Sequence, residues 1–314
     1  MLTSDELAAR TDRAVAAAVA AGRDLGLTVT DPRVLYDVFS VVVHLSPAPV
    51  VVRVPTVLPR TVAADPGAQA AQQRRELAVA GWLADRGHPV VAPSPLVARE
   101  PVRRDGFSMT FWQFVEQVPD ADPDTGRRAT VTAHLHAVLR AYPGELSFLV
   151  PLDESIPDGL AQLEHYPDLL AAADLDRARR EWAVIEPLAA SPAAFHAAFP
   201  GADIQPVHGD APYYNIIVTP ESELCSDFEH VTLGPVERDL AGAGPLGRAA
   251  YDASAARLGL RPLDERLLRV MEAAGMLQAI ACLALVPQLP MLADALRPAL
   301  DHWRTTHLEE IGSG

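Results

Sequence analysis

VHGDAPYYNIIVTPESELCSDFE, residues 207–229, is the stretch on which the reading of this chain turns. His208, Asp210 and Asn215 stand in the order His-x-Asp-x4-Asn, and Asp227-Phe228-Glu229 follows after one short hairpin. A turn presents the Asp210 carboxylate, and Asn215 comes just before an apolar run, Ile216–Thr219. The Pro220-Glu221-Ser222-Glu223 turn leads to a second run, Leu224–Ser226, which ends on Asp227. Antiparallel pairing of two such short strands predicts Asn215 and Asp227 side by side at the open end of the hairpin. Two oxygen ligands beside a third carboxylate suit a hard divalent cation, and Mg2+ commonly takes one or two carboxylates plus substrate phosphates. Phosphoryl transfer uses the same parts, with one Asp left to accept a hydroxyl proton.

The set His208-Gly209-Asp210-x4-Asn215 followed by Asp227-Phe228-Glu229 resembles the catalytic loop and metal-binding segment of the aminoglycoside phosphotransferase and choline kinase family. These are small-molecule kinases with a protein-kinase-like fold. The resemblance implies an α+β, two-lobed chain: a small antiparallel sheet lobe over residues 1–112, then a mostly helical lobe over 113–314. It also implies that Asp210 is the catalytic residue, that Asn215 and Asp227 hold Mg2+, and that ATP is the donor. His208 reads as a brace of the loop. Glu229 has two readings, support for a second metal or for the loop itself.

Outward from this stretch, composition narrows the class. Hydrophobic residues make up 49% and charged residues 21% of the 314, an ordinary globular balance. A formal charge of −15 argues against a nucleic-acid or anionic-membrane partner and is compatible with a cationic substrate. All 26 basic residues are Arg; the chain contains no Lys. Cys225 and Cys282 lie in apolar surroundings and imply no disulfide framework. MLTSDELAAR lacks the apolar core of a secretory signal, and the most apolar stretch, Ala273–Val286, is shorter than a membrane span and interrupted by Gln278. A cytoplasmic protein without a predicted protein partner is expected.

Upstream, Thr3 and Glu6 form a capping box that opens an Ala-rich helix ending near residues 21–26. From Leu35 the pattern turns to β, with a Pro-containing turn at 47–49 and VVVRVP beyond. Residues 56–67 read as loop, 68–86 as helix, 96–99 and 107–115 as a hairpin about Arg104-Asp105-Gly106. Downstream, helices are expected at 127–142, 157–172, 174–188, 248–258, 263–286 and 289–306, with the Gly-rich GAGPLG as a connection.

By resemblance, the phosphate-binding cation on the strand is Arg53, where the family is expected to have Lys, and its helix carboxylate is Glu76. Arg is not equivalent to Lys, because its fork favours bidentate partners. The nucleotide-covering turn, Asp37-Val38-Phe39-Ser40, has no Gly; Ser40 can offer a hydroxyl or N–H to a phosphate. Backbone groups of Gln113 and Val115 are expected on the adenine edge. Only about ten residues separate Asp227 from the next helix, which favours a small acceptor over a peptide. Asp294, Asp301, Glu309 and Glu310 are candidates to line a pocket for a cationic acceptor. The expected activity is Mg2+-dependent transfer from ATP to a hydroxyl of an aminoglycoside-, amino alcohol- or sugar-like molecule. The alternative is a kinase-like protein that binds nucleotide or metabolite without transfer.

Overall fold

The valine runs at 41–43 and 50–54 form the middle of a sheet because alternate side chains along each strand can share one buried face. The computed structural model describes every residue except 120, 122, 123, 211 and 307–314. The chain order begins α1 (Ser4–Asp24), β1 (Val29–Asp37), β2 (Ser40–Pro47), β3 (Val50–Pro55), α2 (Arg60–Ala64), α3 (Pro66–Ala84), β4 (Val102–Arg104) and β5 (Phe107–Gln113). It continues with α4 (Thr125–Leu139), α5 (Leu152–Leu163), α6 (Ala172–Ala189), α7 (Pro192–Ala198), β6 (Gln205–Val207), β7 (Ile216–Val218) and β8 (Glu223–Cys225). Last come β9 (Thr232–Gly234), α8 (Glu237–Leu240), α9 (Gly244–Leu258), α10 (Glu265–Ala281) and α11 (Leu292–Thr305). Contacts divide the chain into two compact units. One comprises Met1–Pro119, Ile217–Glu229 and Leu285–Pro290; the other takes the remainder. A sheet in the first and a mostly helical second unit give the α+β class expected.

In the first unit the sheet runs in the order β1-β2-β3-β5-β4, antiparallel throughout. Val41, Val43, Leu45, Val50, Val52, Val54, Met109 and Phe111 are buried in one cluster with Ala14, Ala17, Ala18 and Ala21 of α1. Burying each larger side chain contributes about 1.5–3 kcal/mol, so this layer anchors the unit. Arg53 lies opposite Val42 on one side and Thr110 on the other, and therefore projects from the sheet face turned away from that cluster. The hairpin of β7 and β8 joins this unit through Val91 N–H to Cys225 O (2.9 Å) and Cys225 N–H to Pro89 O (3.0 Å). Residues 285–290 join it through Leu2 N–H to Pro287 O (2.9 Å), Arg10 to Gln288 O (2.9 Å), and the Gln288 amide to the backbone of Leu58.

In the second unit α4 packs on α9, and Ala129, Ala133, Val207, Leu240, Tyr251, Ala255 and Leu268 form a shared core. α5 lies so close to α10 that a Cβ on Gly159 would sit 2.7 Å from Ala281 O. Residues 265–285 are long and apolar enough to cross a membrane, but 61% of that window is buried within the protein, as in a core helix.

Several elements depart from the sequence reading. β1 starts at Val29, not Leu35. It is an edge strand, exposed over eight of nine residues and bulged twice, so no alternation marks it, and an edge tolerates Pro32. β4 falls at 102–104 instead of 96–99, because Asp105 (φ 50°) and Gly106 (φ 85°) make a two-residue turn that pairs Arg104 directly with Phe107. α5 begins five residues before Pro157 and carries that proline inside it. α2, α7 and β9 were not anticipated, and α9 starts within the Gly-rich connection.

Candidate active site

In the first unit the structure gathers Arg53, Glu76 and Asp227, and adds Glu229. Arg53 Nη1 donates to Glu76 Oε1 at 2.9 Å; Nη2 meets Asp227 Oδ1 at 3.1 Å and donates to Glu229 Oε2. Burial alone would lower the Arg53 pKa, but the charges of Asp227, Glu229 and Glu76 outweigh it and hold the guanidinium well above its ordinary value. Burial pushes the Glu76 carboxyl up, and Arg53 offsets only part of that rise. Asp227 itself has φ 62°, a left-handed conformation that is costly for a residue with a Cβ and is typical of strained functional positions. Tyr36, half exposed and opposite Val42 in the row that includes Arg53, has its phenol pKa raised by partial desolvation and then by the Asp227 charge.

In the second unit the loop after β6 carries Asp210 and Asn215. Asn215 Nδ2 donates to the Asp210 backbone carbonyl at 2.9 Å, which directs the side-chain oxygen of Asn215, the end suited to a cation, away from that bond. The Asp210 side chain is 46% exposed, with His230 Nδ1 3.9 Å from Oδ2. Among the described residues its carboxylate accepts no hydrogen bond. Gly209, at φ 83°, passes directly over the His230 carbonyl, where any Cβ would overlap it.

The loop is held by Asp239. Its Oδ2 accepts from His208 N–H (2.7 Å), its Oδ1 from Gly209 N–H (2.8 Å), and His136 Nε2 stands 2.9 Å from Oδ2. An ionised carboxylate only accepts, so His136 carries its proton on Nε2, and Nδ1 accepts from the Tyr251 hydroxyl at 2.9 Å when the ring is neutral. Burial would raise the Asp239 pKa, but the His136 hydrogen bond and charge, the His208 charge and the Gly209 N–H lower it on balance. A depressed carboxyl contributes stability that is whole above the unfolded value near 3.8 and is lost as pH falls through the folded one. Asp239→Asn puts an NH2 group against a backbone N–H. It should cost about 3 kcal/mol near neutrality, with the gap to wild type closing below about pH 4. Urea midpoints across pH 3–7 for both proteins check this; a gap independent of pH would contradict it.

The remaining expected residues fall as follows. Ser40 opens β2 opposite Pro55 and is buried. The turn before it needs no Gly: it has no positive φ, and Phe39 O accepts from Thr56 and Val57 N–H, both at 3.0 Å. Gln113 N–H is already donated to Ala92 O at 2.9 Å, so of its backbone groups Gln113 can offer a nucleotide only the carbonyl. Val115 follows in irregular backbone, half-buried. Asp294 and Asp301 pair with Arg297 and Arg304 on the surface, and Glu309 and Glu310 lie outside the described residues. The Cys225 thiol is pushed up to about 12 by burial and Cys282 to about 11 by burial and then the Asp210 charge, so neither supplies a thiolate at neutral pH.

Among the described residues no group of three or more His, Cys, Asp or Glu could hold a metal ion. Mg2+ therefore fits only with a few protein oxygens and the rest from water and phosphates, its usual arrangement. Asp227 suits that part: its Oδ1 is buried and accepts no hydrogen bond despite the ion pair with Arg53.

The pattern of the phosphotransferase enzyme family matches residues 39–273. No curated protein sequence matches the chain. Similar solved structures include an aminoglycoside phosphotransferase from Streptomyces rimosus in complex with ADP and streptomycin, 18% identical at TM-score 0.55, covering 83% of this chain and 96% of that one. A choline kinase from Streptococcus pneumoniae is 12% identical at TM-score 0.57, covering 90% and 98%. An aminoglycoside phosphotransferase bound to GDP and kanamycin is 15% identical at TM-score 0.60, covering 91% and 97%. At these identities the likeness is one of fold.

Proposed function

The chain belongs to the phosphotransferase enzyme family, and we propose that it moves the γ-phosphoryl group of ATP to a hydroxyl of a small molecule, with Mg2+ as cofactor. The observation that carries this reading is Asp210: a half-exposed carboxylate, without a hydrogen bond among the described residues, on a loop fastened by Asp239. Such a group can orient a hydroxyl and accept its proton late in transfer. The hydroxyl oxygen forms the new P–O bond, the bridging bond of ATP breaks with its electron pair leaving on ADP, and the proton goes to Asp210. Bound Mg2+ would neutralise charge on the phosphate oxygens, with Asp227 and Asn215 as its protein ligands. Arg53, held by Glu76, is the proposed phosphate contact; Ser40 adds a polar group at the covering turn, and the Gln113 carbonyl and Val115 N–H meet the base.

A small acceptor is supported by the nine residues 228–236, which form a 3-10 turn and β9 and leave little chain to dock a peptide. The net charge of −15 favours a cationic one, an amino sugar or amino alcohol. The cytoplasm is the proposed setting.

Thermal unfolding with Mg2+-ATP is the first test. Wild type should gain several degrees at saturating nucleotide, and Asp227→Ala should gain none. No shift in wild type at millimolar Mg2+-ATP would sink the reading. A panel of hydroxyl-bearing metabolites and antibiotics scored for ADP release then identifies the acceptor. The second reading, nucleotide binding without transfer, is favoured only by the engagement of Arg53 with three carboxylates; a nucleotide shift with no turnover on any acceptor would select it.

A further inference from the structure

Glu229 has two chemical options, metal ligand or partner of the phosphate-binding cation, and the geometry separates them. An ammonium is one compact charge, whereas the guanidinium fork can hold different partners on its two terminal nitrogens. In this chain Nη1 of Arg53 takes Glu76, and Nη2 takes Glu229 with Asp227 3.1 Å away. Arg53 is largely buried and Glu76 almost wholly so, while the Glu229 side chain is 26% exposed. The helix that supplies Glu76 also fixes Glu229 from behind: Gln72, one turn earlier on α3, has its Nε2 3.4 Å from the Glu229 backbone oxygen. Residues four apart share a helix face, so one face of α3 sets both ends of the arrangement.

We propose that Glu229 is a positioning residue for Arg53: with Glu76 on the opposite nitrogen, it fixes the plane of the guanidinium so that the fork is presented to nucleotide phosphates. This rests on the reading of the chain as an ATP-dependent phosphotransferase. Arg at this strand position is then matched by a second carboxylate, with Glu76 and Glu229 each on its own terminal nitrogen of one planar group. Asp227 remains the carboxylate available to a cation, since its contact with Arg53 lacks hydrogen-bond geometry.

The test is ATP affinity measured by calorimetry with Mg2+ and again with EDTA, on the full chain. Removing a carboxylate near bound phosphates should by Coulomb's law alone tighten ATP. A positioning role predicts the opposite: Glu229→Gln weakens ATP by about tenfold, and equally with and without metal. Arg53→Lys weakens it similarly, and Glu229→Gln added to Arg53→Lys weakens it no further, because the fork is already gone. Glu229→Asp, which keeps the charge one methylene short, falls between wild type and Glu229→Gln and guards against a folding defect, as do the melting curves of the nucleotide-free proteins. Weakening confined to the Mg2+ condition would make Glu229 a metal ligand and overturn the proposal. So would additive losses in the double variant, or unchanged or tighter ATP in Glu229→Gln. Failure of wild type itself to bind ATP would overturn the phosphotransferase reading, and with it this role; the coupling of Arg53 and Glu229 in the nucleotide-free melts would survive it.

Discussion

Asp210→Asn is expected to lower phosphoryl transfer to the acceptor by about a thousandfold while Mg2+-ATP still stabilises the protein as it does the wild type. The substitution keeps the size of the side chain and the backbone carbonyl that Asn215 holds, and removes only the carboxylate charge proposed to accept the proton. Because the Asp210 side chain is nearly half exposed and accepts no hydrogen bond among the described residues, folding should scarcely notice the change. Coupled ADP release with the acceptor, beside a thermal shift with Mg2+-ATP, reads both halves. Turnover equal to wild type would remove Asp210 from the chemistry; loss of the nucleotide shift would place it in binding instead.

Gly209→Ala is the second large effect, and it falls on stability as well as activity. At φ 83° any side chain is strained, and an added Cβ would overlap the His230 carbonyl oxygen and lie 2.9 Å from its carbon. Backbone cannot rotate out of the way as a side-chain tip can. The loop must lift, and lifting it strips Asp239 of the His208 and Gly209 donors. About 3–5 kcal/mol is a reasonable sum of strain and a broken buried network. Gly259→Ala is the matched control: its φ is 71° but nothing lies within 4 Å of the added Cβ, so only the conformational cost, about 1 kcal/mol, applies. Denaturation midpoints of the two variants should differ several-fold in their displacement from wild type. Equal displacements would mean the close approach over His230 has no energetic weight.

The parts of the site that could be read along the chain are those whose spacing is covalent. His208, Asp210, Asn215 and Asp227 sit within twenty residues around one hairpin, and the turn chemistry of Pro220–Glu223 was enough to place the strands. The Arg53–Glu76 pairing was also legible, through resemblance, and the structure brings the two within 2.9 Å. Glu229 as a partner of Arg53 was not legible. The pair is 176 residues apart in sequence, and only the tertiary fold decides whether a third carboxylate meets the fork. The task of Asp239 was not legible either, because its partners at His208 and Gly209 are backbone donors that every residue but proline possesses. For the fold, the buried strands β2 and β3 announced themselves by valine. The exposed edge strand β1 did not, since a strand with one hydrogen-bonding edge and little to bury leaves no periodic signal.

The three-segment make-up of the first unit bears on how it comes into being on the ribosome. Pro89 and Val91 find their partner at Cys225, Arg53 at Asp227, and Leu2, Arg10 and Leu58 at residues 287–288. A nascent chain stopped at Pro119 owns the five-stranded sheet but none of these closures. At synthesis rates of 5–20 residues per second, roughly 10–30 s pass before residue 290 is made. During that interval the earliest-made sheet waits on the latest-made peptide, and its exposed edge strand is open to any neighbour that offers backbone.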